Sequence, residues 1–318
     1  MIPAKAHFIW LGKKFPWLHA LAIRSCCERG GFEKVVLHCS DDLSDSAHWN
    51  YVSVCKNFEF RKINPEKVLK APDKYGEDLT ELYSRLSWPA SKVNMLRAAI
   101  LAVEGGVYLD IDTVTVASMK DILESSGVFF GEERIVFPEK VVNSRRPDIK
   151  ALAYIKTAFR DLCRRRRDGW RAFRKWEHHY HLAANNAVIG SEAGHPFVME
   201  MLKRMVSMPE KRRTVRYALG THLLQQAKAD NKDSSVKVLS PRYFYPLGPE
   251  ISQHWFRKNT TAKISDILFP ETRIIHWYAS VRTKKIVPLI NPETVAEWKD
   301  SIPICELAAQ FLPRENKQ

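Results

Sequence analysis

Six cysteines in 318 residues, at positions 26, 27, 39, 55, 163 and 305, are too few and too scattered for a disulfide framework. No CxxC pair occurs and no spacing suits a zinc site, so reduced thiols are the expectation. The chain also lacks any apolar run of the ~18 residues that a membrane-spanning helix needs. It opens Met1-Ile2-Pro3, without a basic leader, an apolar run and a small-residue cleavage site. The expected location is therefore the cytoplasm, with the inner face of the membrane within reach and export by a leaderless route left open. Internal repeats and low-complexity linkers are missing, which argues against independent domains. Acidic residues are in deficit, 36 against 50 basic ones, for a net charge of +14. The excess collects in RDLCRRRRDGWRAFRKWEHHYH, residues 160–181, and in EKRRTVR, residues 210–216. A basic run with interleaved tryptophan suits nucleic acid, an anionic membrane or a phosphorylated substrate, and a merely solvated helix face has the same appearance.

What is present is enough apolar residue, 45% of the chain, for a sizeable core. AKAHFIW (4–10) reads as a buried strand, and WLHALAIRSCCER carries apolar residues at 17, 18, 21 and 22 before Gly30-Gly31 stops it as a helix. KVVLHCS and FEFRKI (58–63) follow as further strands. Strand, helix, strand in this order predicts an α/β fold with a mostly parallel, Rossmann-like sheet. Residues 64–81 read as a charged connection with room for a short helix. In SWPASKVNMLRAAILAVEGG, Ser87 is the expected cap, Pro89 fits the first turn, and Val93, Leu96, Ala99, Ile100 and Val103 form the apolar face. Gly105 supplies the stop. Beyond Met119, GVFFGEERIVF and NNAVIGS read as strands, the latter short, and residues 150–179 as one long basic helix or a helix pair. HPFVMEMLKRMVSM and ALGTHLLQQAKA read as helices, VKVLSP and RIIHWYA as strands, and PETVAEWKDSIPICELAAQFL as helical.

The strand VYLDI ends on Asp110, with Asp112 two residues on. Side chains at that spacing share a face of a strand, here at the carboxyl edge of a parallel sheet, where open α/β folds bind ligands. Two such carboxylates suit a hard divalent cation whose remaining positions are filled by bound phosphates. An acidic loop yields the same three letters by chance.

Arg97, Gly105-Gly106, VYLDID and the N-terminal HFIWLG together resemble the DXD sugar-transferase family, related to yeast-type initiating mannosyltransferases and glucosylating bacterial toxins. NNAVIGSEAGHPFV and RIIHWYAS extend the resemblance along the chain. It implies a single GT-A domain over residues 1–318, with helical additions: a nucleotide-sugar half (1–118), an acceptor-side half with closing strands (119–290) and a helical tail (291–318). It also implies a hexosyltransferase using Mn²⁺ or Mg²⁺ and a nucleotide-sugar donor, a UDP-sugar in preference to a GDP-sugar, with retained configuration. A glycan, lipid-linked or protein acceptor follows, as in polysaccharide biosynthesis, with peripheral contact to anionic membrane through 160–181 and no specific nucleic acid.

Carried over residue by residue, the resemblance gives Trp10 the nucleotide base to stack on, although alone it reads as a core aromatic. Arg97 would hold the donor phosphate or sugar hydroxyls, or close a salt bridge at the helix rim. Tyr108 and Asp110 fall in the donor site, Asp110 against ribose or sugar hydroxyls. Asp112 would ligate the metal, His276 would be a further ligand, and Asp110 would reach it through water. Asn185 or Asn186 would touch the donor sugar. Asp110, Asp112 and Arg97 are the expected catalytic set. Asn94 stands where the family carries an aspartate for sugar hydroxyls, and an amide offers no charge there. The family's Thr-Gly-Pro segment is replaced by Leu219-Gly220-Thr221-His222, so its acceptor contacts do not transfer. Two rivals remain at this level, a basic nucleic-acid-binding protein and a catalytically silent nucleotide-sugar binder.

Overall fold

The computed structural model describes residues 1–125, 127–258, 261–279, 283 and 285–312. Ser280 of the C-terminal histidine stretch and residues 313–318 of the tail lie outside the described residues. Strand β1 (Lys5–Trp10) buries its four central residues on both faces, the pattern of a strand in the interior of a parallel sheet. β2 (Lys34–Cys39), β3 (Phe58–Lys62) and β4 (Gly106–Leu109) run parallel with it, in the order β3-β2-β1-β4. β5 (Thr113–Thr115) leaves this sheet. β6 (Val128–Ile135), β7 (His181–Ser191) and β8 (Val236–Leu239) complete a seven-stranded sheet, with β7 antiparallel to both β4 and β6. β9 (Ile274–His276) pairs antiparallel with β5, so the chain's late histidine strand returns beside Asp112. The α/β reading with a mostly parallel sheet holds.

The helix Trp17–Arg29 forms as its apolar spacing requires, but four local expectations do not hold. Ser87 is not a cap: Pro89–Glu104 starts after Trp88, and no side chain caps it. Val103 is exposed, while every residue from Met95 to Ala102 is buried. Helices Pro65–Lys70 and Pro196–Ser207 pack against this helix as well as the sheet, so it has no solvated stripe along that stretch. The charged connection at 64–81 holds two helices, Pro65–Lys70 and Gly76–Arg85, the first capped by the Asn64 side chain on Lys67 N–H at 3.1 Å. NNAVIGS is the end of an eleven-residue strand.

The basic run is a helix pair, Pro147–Arg165 and Gly169–Trp176. Much of its charge is internal. Arg160 pairs with Glu250 at 2.9 Å, Arg164 donates to the Glu250 carbonyl, and Arg174 donates to the Ile267 carbonyl at 2.6 Å. Arg257 closes the helix end by donating to the carbonyls of Arg164 and Arg165, both at 2.6 Å. These guanidiniums fasten the pair to the 249–267 segment, which neither a solvated face nor a nucleic-acid surface requires.

Gly105 stops its helix at φ 63° and ψ −157°, a region essentially reserved for glycine. A Cβ there would stand 2.7 Å from the Ala193 nitrogen and 2.9 Å from the Ser191 oxygen. Gly105→Ala is expected to cost about 2–4 kcal/mol from backbone strain and overpacking. Urea unfolding checks this as a lowered midpoint at unchanged slope, and an unmoved midpoint would refute it.

Candidate active site

β4 ends at Leu109, and the Asp110 amide stays tied to the sheet by donating to the Ala187 carbonyl at 2.8 Å. Its carboxylate meets the Arg97 guanidinium at 2.9 Å and accepts from the Tyr108 hydroxyl at 2.8 Å. Arg97 is 5% exposed, lies 4.2 Å over the Tyr108 ring and also donates to the Asn186 carbonyl. The salt-bridge reading of Arg97 is thus realised, and only its Nε is left buried without a partner. Charge and hydrogen bonds together hold the Asp110 carboxylate in one orientation.

Asp112 follows in the turn. One carboxylate oxygen lies 3.0 Å from His276 Nε2 and the other accepts from the Ala279 amide at 2.7 Å. The Asp112 carbonyl accepts from Trp277 N–H at 3.0 Å. Burial pushes the Asp112 acid up, but His276 and the Ala279 amide more than reverse this and bring it to about 2. For His276 burial acts downward, and the facing Asp112 carboxylate raises it above the ordinary histidine value.

Ligand atoms of Asp110, Asp112 and His276 all lie within 4.8 Å of one another. Neighbouring ligands around a six-coordinate ion with bonds of ~2.1 Å are ~3 Å apart, which is the Asp112–His276 spacing. Two carboxylates and an imidazole form a donor set that fits Mn²⁺, and Mg²⁺ with less affinity for the nitrogen.

These groups line a cavity of about 620 Å³, together with Asn94, Asn185, Asn186 and Tyr278. Adjacent strand residues normally face opposite ways, yet both asparagines reach it. Along β6 and β7, Phe130 pairs with Ile189 but the next residue, Gly131, pairs with Asn185. Residues 186–188 are thus displaced toward β4, where Leu109 still pairs with Val188. Asn185 Nδ2 donates to Glu133 at 2.5 Å, and Asn186 Nδ2 donates to the Asn94 side-chain oxygen at 2.9 Å. Both asparagines therefore line the cavity. The Leu219-Gly220-Thr221-His222 segment contributes Gly220, Thr221 and His222 to the wall.

Trp10 stands apart from the cavity lining. Its ring lies 5.6 Å from Phe15 and 4.9 Å from His19. His19 is buried near Asp112, and burial lowers its pKa to about 4 despite that carboxylate. Glu133 and Tyr278 were missed from sequence. The Tyr278 hydroxyl donates to Glu133 at 2.8 Å, and burial raises the Glu133 carboxyl to about 7 against the pull of Tyr278 and Asn185. Two glutamates inside the apolar strand GVFFGEERIVF were the available signal. Tyr217 and Tyr278 hold φ of 69° and 59°, a left-handed conformation that costs an aromatic residue energy and concentrates at ligand sites.

Residues 32–129, from before β2 to the start of β6, match the glycosyltransferase sugar-binding region containing the DXD motif. Over this region the chain is similar to DXD glycosyltransferases. The region holds Asn94, Arg97, Asp110 and Asp112, whereas His276, Glu133 and the asparagines of β7 reach the same cavity from beyond it. Among solved structures, the apo form of mouse xyloside xylosyltransferase 1 is similar over 88% of this chain and 99% of its own, at 12% identity and a TM-score of 0.50. The fold is GT-A. PaToxG glycosyltransferase is similar at 17% identity over 71% of this chain and 68% of its own, with a TM-score of 0.40. The galactosyltransferase LgtC, solved with donor and acceptor sugar analogues, covers 87% of each chain at 12% identity and a TM-score of 0.44. No curated protein matches the sequence.

Proposed function

We propose that this protein is a DXD glycosyltransferase that moves a sugar from a nucleotide-sugar donor, a UDP-sugar before a GDP-sugar, to a glycan, lipid-linked or protein acceptor, with retention of configuration. The observation that carries the reading is the convergence of Asp110, Asp112 and His276 on one point at the cavity wall. Asp112 and His276 would hold Mn²⁺ or Mg²⁺, with Asp110 beside them directly or through water. The bound cation supplies charge to offset the negative charge that develops on the leaving diphosphate.

The rest falls to side chains. Asp110, locked by Arg97 and Tyr108, accepts from ribose or sugar hydroxyls. Asn94 and Asn186, already paired, present amides to the donor sugar, and a neutral pair there recognises hydroxyls without charge. Glu133 supplies a carboxyl from another strand, held by Asn185 and Tyr278. Trp10 packs beside His19, which feels the Asp112 charge, and neither lines the cavity, so the base would stack on Trp10 while the sugar enters the cavity. We place the activity in the cytoplasm or at the inner face of the membrane.

Hydrolysis of a panel of UDP- and GDP-sugars with Mn²⁺ or Mg²⁺ tests this. Turnover of one donor, with the α-anomer released from an α-linked donor by NMR, is the expected result. An inverted anomer would reject retention alone. Thermal stabilisation by a donor that is never turned over, with or without candidate acceptors, would favour a silent binder. Neither turnover nor stabilisation would overturn the proposal.

A further inference from the structure

Helix Pro147–Arg165 buries only Ala153, Cys163 and Arg164. Ile149 and Phe159 pack against the core, but four other apolar side chains face water: Ile155 and Tyr154 are each 66% exposed, Leu152 51% and Leu162 50%. Ile155 and Leu162 fall seven residues apart on one face. Trp176, 55% exposed on the partner helix Gly169–Trp176, extends the seam, its ring 6.5 Å from Phe159. At the other end the Tyr154 ring lies 6.4 Å from Phe137, an exposed residue of the cavity wall. One apolar seam therefore runs from the rim of the cavity along the helix pair. Such a contiguous patch is unusual on a soluble monomer and marks a contact surface.

The seam is bordered by exposed cations, among them Lys150, Arg165, Arg166, Arg167 and Lys175. Nearby Asp148 already pairs with Arg146 at 2.6 Å, and Asp161 with Arg160 at 3.0 Å. That border selects the occupant. A second copy of the chain would set one cationic border against another, and a nucleic acid would leave the isoleucine, leucine and tryptophan in water. An anionic bilayer satisfies both features, since apolar side chains enter the boundary below the headgroups while lysine and arginine stay among the phosphates.

We propose that the helix pair 147–176 seats this protein on an anionic lipid bilayer, Leu152, Ile155, Leu162 and Trp176 entering the interface and Arg165–Arg167 and Lys175 meeting the headgroups. Because the seam begins at Phe137, seating turns the cavity rim toward the lipid surface, where an acceptor carried by the membrane can enter. That last consequence rests on the glycosyltransferase reading, and the docking does not.

Co-sedimentation with phosphatidylcholine vesicles, plain or carrying phosphatidylserine, tests it. Wild type is expected to pellet with the anionic vesicles only. Ile155→Asp/Leu162→Asp and, separately, Arg165→Glu/Arg166→Glu/Arg167→Glu should each lower binding at least about tenfold. Both variants should keep the wild-type melting temperature and hydrolyse donor in solution at the wild-type rate. Three outcomes overturn the proposal: wild type that stays in the supernatant, an Ile155→Asp/Leu162→Asp variant that pellets like wild type, or a wild-type dimer in light scattering that this variant makes monomeric. Vesicle binding without turnover of any donor would leave the seat standing and remove the glycosyltransferase reading.

Discussion

Asp112→Ala is expected to lower cation-stimulated donor turnover by about 10²–10⁴-fold. The side chain is a junction. It faces His276 Nε2 at 3.0 Å, accepts the Ala279 amide at 2.7 Å, and lies within ligand distance of Asp110. Truncation removes the proposed anionic ligand and also the charge that keeps His276 oriented, whose Nδ1 is already buried without a partner. It leaves the Ala279 amide without its acceptor too, which adds about 1–3 kcal/mol of local destabilisation.

Asp112→Asn separates these effects. An amide oxygen can still accept from Ala279, but it is a poor ligand for a hard cation, so this variant should fold with near wild-type stability and remain inactive. The measurements are donor hydrolysis against Mn²⁺ concentration and the thermal shift that Mn²⁺ produces. A shift in wild type that is missing from both variants fits the assignment. An Asp112→Asn variant with more than about a tenth of the wild-type rate would sink it.

The histidine pair inside the sheet should lose its contribution to stability on acidification, starting above the range in which ordinary carboxylates titrate. His7 on β1 and His38 on β2 face each other inside the sheet, with His7 Nδ1 3.0 Å from His38 Nε2 and His7 Nε2 3.0 Å from the Gly105 carbonyl. The carbonyl can only accept, so His7 donates from Nε2 and its Nδ1 accepts from His38, a chain of two neutral rings. Burial lowers His7 to about 4, with Glu104 opposing and Lys5 and Arg61 reinforcing. Burial, then the charges of His7 and Arg61, lower His38 to about 3 against Glu104 and Glu59.

Both folded values lie below the ordinary 6.5, so the unfolded chain takes up these protons first. The stability they contribute is complete above pH 6.5 and is lost as the pH falls toward 4 and then 3. The expected loss from this pair between pH 7 and 4 is roughly 6 kcal/mol. Carboxylates such as Glu59, brought to about 2 chiefly by Lys34 and Arg61, act in a lower window, between their ordinary 4.5 and 2. His19 titrates in the histidine window as well, and Glu133, raised to about 7, acts there in the opposite sense, so the test is a difference. Urea midpoints of His38→Gln should fall less steeply between pH 6.5 and 4.5 than those of wild type, and parallel curves would refute the assignment.

The sequence by itself determined the elements whose cause is local. Apolar runs placed β1, β2 and β3, Gly105 ended its helix where only glycine tolerates the backbone, and VYLDI placed the parallel strand that leads to Asp110 and Asp112, although β4 ends at Leu109 and both carboxylates lie in the turn beyond it rather than on one strand face. Those signals operate within a few residues, where steric preference and periodicity decide.

Only the tertiary structure decided the rest of the site. Glu133 meets Tyr278 across a separation of 145 residues, and no local pattern encodes that meeting. The three-residue displacement in β7 turns both Asn185 and Asn186 to the cavity, against the alternation that a regular strand would impose. Arg160, Arg164 and Arg174 read as a charge run, but Glu250 and the carbonyls of Glu250 and Ile267 absorb them, while Ile155, in a helix that reads as basic, is left facing outward. Which partner a long side chain finds, and which face of a helix stays uncovered, depends on the elements packed beside it. That information is spread over the whole chain.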